Sequence, residues 1–191
     1  LVFNNIKDYN KPGRRCGRVF DNSLSSYRRI AMMLGLPPDT HPRELVKVGR
    51  TLFAGTIPPK IVATGPCKEN ILKGKDIDLY EFPTPWWNRV DGGRYILTYA
   101  GIVTKDPETN IMNVGVYRGM VASRDQIPML MWRAQHIGQH ATAWQNRGVN
   151  EMPIAVAIGW EPSLAFTGGS PVPKGVCEYD VMGAIRGAPV E

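Results

Sequence analysis

The spacing of apolar residues divides the chain into a helical first half and a β-rich second half. Leu24, Tyr27, Ala31 and Leu34 fall on one helical face; Asp21-Asn22-Ser23 can cap that helix, and Gly35 followed by Pro37-Pro38 stops it. Thr40 is a second cap candidate, because Pro42 suits a first helical turn and Leu45, Val46 and Val48 follow at helical spacing, with residues 50–55 closing the element. Residues 58–62 are expected to be extended and residues 76–79 to form a short acidic helical turn. Phe82-Pro83-Thr84-Pro85 must follow an extended path, since a residue before proline avoids the helical region. Near the start, residues 5–10 with Pro12-Gly13 read as a short element ending in a turn.

Asp91-Gly92-Gly93 marks the change of pattern. Tyr95, Leu97 and Tyr99 alternate with Ile96, Thr98 and Ala100, and the run continues through Ile102-Val103, which predicts a strand. Asp106-Pro107-Glu108-Thr109-Asn110 has the chemistry of a tight turn, so residues 111–121 are expected to return as the second strand of a hairpin. A further strand is predicted over residues 129–133. Past His136 the period changes, and Ile137, Ala141 and Trp144 suit a helix ending near Gly148. Residues 153–160 carry consecutive apolar side chains and predict a strand buried on both faces. Thr167-Gly168-Gly169-Ser170-Pro171 reads as a bend whose glycines let backbone N–H groups face an anion. Residues 177–186 predict a last short helix carrying Glu178 near its start.

Composition narrows the classes. With 191 residues, 43% hydrophobic and 21% charged, the chain is an ordinary globular sequence, without repeats or low-complexity tracts. No run approaches the roughly 18 apolar residues of a membrane span, and no export signal is evident, so a cytoplasmic location without a membrane span is expected. The formal charge of +6 invites a nucleic-acid reading. The basic residues are scattered, though, and their densest clusters, residues 11–18 and Arg28-Arg29, are short. A solvated surface, or a few cations serving an anionic small molecule, fits better than a nucleic-acid partner. Cys16, Cys67 and Cys177 have no zinc-ribbon spacing and make no disulfide framework.

The stretch richest in chemistry runs from the Arg94 strand to Gln135-His136, and it places an amide, a cation and an imidazole on what should be adjacent strands. Asn113, His136 and Glu178 could form an oxygen/nitrogen/oxygen site for Mn²⁺ or Mg²⁺. His136 and His140 lie four apart, as in a helical metal pair, but no HExxH glutamate stands between them, and capping or packing is the plainer role. Arg118 ends either on the surface or inside a pocket. In a regular strand Asn113 and Arg118 face opposite sides, so serving one pocket would need a bulge near Gly115 or Gly119. Gly168-Gly169-Ser170 is either a plain turn or a weak phosphate cradle, and Trp86-Trp87 either plug the junction of the two halves or stack on a flat ligand.

Several motifs in order then resemble one family. Asp91-Gly92-Gly93-Arg94-Tyr95, Asp106-Pro107-Glu108-Thr109, Asn113-Val114-Gly115-Val116-Tyr117-Arg118, and Gly175-Val176-Cys177-Glu178 running on to Arg186-Gly187-Ala188-Pro189-Val190-Glu191 are similar to the UbiD family of reversible decarboxylases, which use prenylated flavin mononucleotide. The resemblance implies an α+β fold: an N-terminal helical α/β section, residues 1–90, packed on part of a flavin-reductase-like split β-barrel, residues 91–191. It implies that Asn113, His136 and Glu178 bind a Mn²⁺ bridging to the flavin phosphate, with K⁺ nearby at Glu178 and residues 167–170. Val116, Tyr117, Gln135, Gly168, Gly169 and Ser170 are implied as cofactor contacts, and Arg118 as the active-site arginine that meets flavin and substrate carboxylate. The implied activity is non-oxidative decarboxylation of an unsaturated or aromatic carboxylic acid, with a flavin prenyltransferase supplying the cofactor; a flavin-binding carrier without catalysis is the alternative. The family's acidic proton donor and C-terminal oligomerisation domain follow the Pro-Val-Glu stretch. A sequence ending at Glu191 is therefore expected to be an N-terminal portion, inactive alone, of a homo-oligomeric enzyme.

Overall fold

The computed structural model describes residues 1–9 and 16–191; the turn expected at Pro12-Gly13 and most of the basic run beginning at Lys11 lie outside them. The chain forms two compact units, each assembled from separated stretches.

The first unit comprises Leu1–Asn22, Val62–Tyr99 and Tyr117–Leu130. β1 (Val2–Phe3) pairs antiparallel with β2 (Val19–Phe20). The expected acidic turn is a pair of 3₁₀ turns, Gly74–Asp76 and Leu79–Glu81, and the second is capped by Asp78, whose Oδ1 accepts the Tyr80 N–H at 3.0 Å. Trp86 and Trp87 are 56% and 41% exposed.

The strand predicted from Tyr95 onward starts late. Residues 96–99 form turns and bends, because the Thr98 hydroxyl donates to Tyr95 O at 2.7 Å and offers the backbone a local alternative to the ladder. Leu97, 1% exposed, keeps one strand-like bond, its N–H donating to Gly119 O at 3.1 Å. Of the strand predicted over 129–133 only an isolated bridge, Gly119 to Met129, forms.

The second unit comprises Ser23–Ile61, Ala100–Val116 and Met131–Glu191. α1 (Tyr27–Met33) begins later than the pattern suggested: Asn22 takes φ +58°, outside the helical region, and the cap is Ser26, whose Oγ accepts the Arg29 N–H at 3.4 Å. α2 (Pro42–Phe53) carries Pro42 in its first turn, but its cap is His41, whose Nδ1 accepts the Arg43 N–H at 3.2 Å, while the Thr40 hydroxyl turns back to Pro37 O. Ala31 and Leu34 on one helix and Leu45 on the other pack against Val172, Val181 and Ile185.

The sheet of this unit has the order β4-β3-β5 and is antiparallel throughout, with β3 at Gly101–Lys105, β4 at Met112–Gly115 and β5 at Ala155–Ala157. The β3–β4 turn is as expected: Asp106 Oδ1 accepts the N–H groups of Glu108 and Thr109 at 2.7 and 3.3 Å, and Asn110 adopts φ +61°. β4 is shorter than the return strand predicted, and β5 is neither long nor buried on both faces. As an edge strand it pairs only through β3, and Val156 is 42% exposed.

α3 (His136–Asn146) and α5 (Glu178–Arg186) sit where the pattern placed helices; Gly148 and Gly187, at φ +78° and +70°, follow their ends as left-handed stops. His136 is thus a helix residue, not a strand residue. Thr167 and Gly168 are no bend either, because they form the last turn of α4 (Pro162–Gly168), where the N–H groups of Gly169 and Ser170 bond to Ala165 O and Thr167 O.

α5 lies hard against residues 55–57. The Ile57 N–H donates to Asp180 O at 2.8 Å, and a Cβ added at Gly183 would stand 2.3 Å from Ile57 O. In an open helix, Gly183→Ala would gain about 1 kcal/mol of helix propensity. Here we expect the opposite sign, a loss of about 1–3 kcal/mol from overpacking, read as a lower urea midpoint at unchanged m-value.

Candidate metal and cofactor site

β4 is an edge strand, so alternate backbone groups point away from β3 and need other partners. Asn113 lies opposite Thr104 in the ladder, and the next residue, Val114, turns its N–H outward to Glu178 Oε2 at 2.6 Å. Glu178 is the first residue of α5 and 4% exposed. Burial pushes its carboxyl above the usual carboxylate range, the Val114 N–H opposes that by stabilising the charged form, and Asp180 adds a little to the rise. Beside the same peptide runs α4, where a Cβ at Gly168 would lie 3.1 Å from Val114 O. A side chain there would have to push Val114 O or the Trp160 ring back by a few tenths of an ångström.

The other side chains come from α3. His136 Nδ1 lies 2.9 Å from Asn113 Oδ1. A ring nitrogen and an amide oxygen at that separation can share a hydrogen bond or face one cation together. Asn113 is 5% exposed and His136 half-buried. One turn on, His140 Nδ1 contacts Thr104 Oγ1 at 3.0 Å; burial lowers the His140 pKa, and Asp106 partly offsets this.

Asn113, His136 and Glu178 therefore meet around one peptide of β4. Among the described residues no three His, Cys, Asp or Glu side chains cluster as a metal set, so this arrangement depends on the Asn113 amide oxygen. Two oxygens, one nitrogen and a single buried carboxylate fit a hard or borderline divalent cation, which would compensate the charge that burial disfavours. Cys177, next to Glu178, is no competitor as a ligand: burial pushes its thiol up to about 12.

The remaining residues are distributed as follows. Val116 is half-buried just beyond β4. Gln135 precedes α3, exposed, its Oε1 accepting the Trp132 N–H at 3.2 Å. Gly168, Gly169 and Ser170 form the carbonyl end of α4, so the expected cradle of N–H groups is not formed there; such an end favours a cation over an anion. Tyr117 and Arg118 belong to the first unit, where Tyr117 is buried and Arg118 exposed. No bulge separates Asn113 from Arg118; regular strand simply stops at Gly115. Arg118 is held through its backbone, its carbonyl accepting the Leu130 N–H at 3.1 Å, and Gly119 beside it has no room for a Cβ, which would stand 2.8 Å from Leu97 Cδ1. Sequence reasoning passed over Thr104 and Val114. The i, i+4 histidine pair was the one visible hint of the former, and a backbone N–H leaves no sequence signal.

Comparison with known proteins identifies the family. Residues 60–191 match the 3-octaprenyl-4-hydroxybenzoate carboxy-lyase Rift-related domain, and residues 1–48 the N-terminal domain of the same family. An alignment of 196 residues with pyrrole-2-carboxylic acid decarboxylase of Pseudomonas aeruginosa is 34% identical and takes in 100% of this chain but 39% of that protein. The closed form of vanillic acid decarboxylase from Sedimentibacter hydroxybenzoicus superposes with a TM-score of 0.78 at 34% identity, over 86% of this chain and 36% of that one. A UbiD-class enzyme from Pelotomaculum thermopropionicum, solved in complex with prFMN, shares the fold with a TM-score of 0.76 at 24% identity, over 86% and 37% of the two chains. The chain thus spans about two fifths of the length of the relatives it matches. With two family domains in order along it, the chain belongs to the UbiD family of decarboxylases.

Proposed function

We propose that the protein carrying this chain is a carboxy-lyase that removes CO₂, without net oxidation, from an aromatic or unsaturated carboxylic acid, using prenylated flavin mononucleotide. The observation that carries this reading is the meeting of Asn113, His136 and Glu178 at β4, within a chain that matches the family end to end. In it the three-stranded sheet is part of a flavin-reductase-like split barrel, residues 91–191 form most of the cofactor-binding section, and residues 1–90 precede it.

Asn113 Oδ1, His136 Nδ1 and Glu178 would hold a Mn²⁺ against the flavin phosphate, and Glu178 with the carbonyl end of α4 at Gly168, Gly169 and Ser170 suits K⁺. Val116, Tyr117 and Gln135 would line the flavin. When bound, the flavin supplies the electron sink for the pair left behind as CO₂ departs. Arg118 would grip the substrate carboxylate: its guanidinium is a planar fork of donors that keeps its charge at any working pH. Orientation of that carboxylate and exclusion of water are the contributions this stretch of chain can make. The cofactor would come from a flavin prenyltransferase, and assembly into a homo-oligomer would involve sequence beyond these residues.

Reconstitution with prFMN and Mn²⁺, with the family's C-terminal portion supplied, should release CO₂ from aromatic acids, measured directly; bound flavin without turnover would then favour a carrier. Arg118→Ala should lower kcat by about 10²-fold or more while flavin stays bound.

Glu178 gives a second test, in metal-free protein. Its folded carboxyl is held above the unfolded value, so its stabilising contribution is full below the unfolded pKa and is lost as pH rises through the raised folded value. Urea midpoints should therefore fall with rising pH relative to Glu178→Gln, whose amide oxygen can still accept from Val114. Added Mn²⁺ should remove the difference in slope.

A further inference from the structure

α3 meets the sheet through a row of polar contacts. His136, His140 and Trp144 stand four residues apart on one helical face, and each reaches the β3–β4 hairpin. His136 Nδ1 lies 2.9 Å from Asn113 Oδ1 and His140 Nδ1 lies 3.0 Å from Thr104 Oγ1, while the Trp144 indole N–H donates to Lys105 O at 3.0 Å. Thr104 and Asn113 oppose each other across the ladder, so both histidines land on one cross-strand pair.

The first turn of α3 is also held by packing: Ile137 is 0% exposed, and a Cβ at Gly138 would stand 2.1 Å from Trp132 O. One held turn fixes a position but not the direction or roll of a helix. The second turn supplies that, through His140 and the buried Thr104 hydroxyl. A slip of one residue would rotate the helix by about 100° and break both histidine contacts together.

We propose that Thr104 and His140 are positioning residues for the Asn113–His136–Glu178 cluster. Their hydrogen bond sets the roll of α3 and so keeps His136 Nδ1 turned toward Asn113 Oδ1. Only the affinity readout below rests on the metal reading given above.

Thr104→Val keeps the shape of the side chain and removes its hydroxyl; His140→Phe keeps a ring and removes Nδ1. Thr104→Ser and His140→Asn restore the hydrogen-bonding atom. In the full chain, ¹⁵N signals of the His136 ring report how its nitrogens are bonded, with no metal present. The parent, Thr104→Ser and His140→Asn should share one set of His136 ring signals, and Thr104→Val and His140→Phe should show shifted or broadened ones. Mn²⁺ affinity, followed by the electron paramagnetic resonance of the free ion, should fall about 10-fold or more in the latter two and recover in the rescuing pair. The double variant should be no worse than either single one, because one bond is broken in each. His136 signals in Thr104→Val and His140→Phe identical to those of the parent would overturn the proposal. Altered signals in a protein that takes up no Mn²⁺ would uphold the positioning role and defeat the metal reading. Should Thr104→Val fail to fold, His140→Phe decides alone, since its site on α3 is half-buried.

Discussion

The edge of a sheet leaves every second backbone group without a neighbouring strand, and inside a protein each must be met by something else. At β4 a carboxylate takes that place, since Glu178 accepts the outward Val114 N–H at 2.6 Å. This contact ties the first residue of α5 to the sheet, while further along α5 Val181 and Ile185 enter the core shared with α1 and α2. It also fixes a buried negative charge next to Asn113. Gly168 is the matching close approach, because α4 runs beside the same peptide and a Cβ there would lie 3.1 Å from Val114 O. Two helices and a strand are thus registered on one residue whose own side chain, 0% exposed, is merely apolar.

Between α3 and the sheet a different kind of contact decides the register. Apolar surfaces such as Ile137 tolerate small slides, whereas a hydrogen bond is made at one geometry and weakens steeply away from it. Burying Thr104, at 2% exposure, and Asn113, at 5%, is unfavourable unless their polar atoms are met. The histidines meet them from adjacent turns of one helix. A seam of this kind specifies an orientation rather than adding much net stability.

This division explains what the sequence could reveal. Elements with local signals were legible: Pro42 at the start of α2, Asp106 and Asn110 in the hairpin turn, Gly148 and Gly187 after α3 and α5. Elements defined by distant partners were not. Tyr95 to Ala100 alternates like a strand, but its backbone closes on itself through Thr98. Val156 belongs to an apolar run, yet β5 lies at an edge with half its surface open. The stretch around Gly168 reads as a loop by composition, but Pro162 and the capping carboxylate of Glu161 start a helix that carries through it. The candidate site was legible only as a family resemblance. One Asn, one His and one Glu have no local pattern, since they come from a strand and two helices, and the outward N–H of Val114 that seats Glu178 is invisible in any sequence.

The choice of an amide at position 113 follows from the charge already present. Glu178 alone is costly enough in this setting that burial favours its protonated form. A second carboxylate one peptide away would raise that cost, because two like charges in a dry site cannot both stay ionised without strong compensation. Asn113 supplies an oxygen of the same reach with no charge and no proton to lose. The cluster therefore carries at most one negative charge. That is enough to attract a cation and few enough charges for β4, α3 and α5 to close around the site when no cation is there.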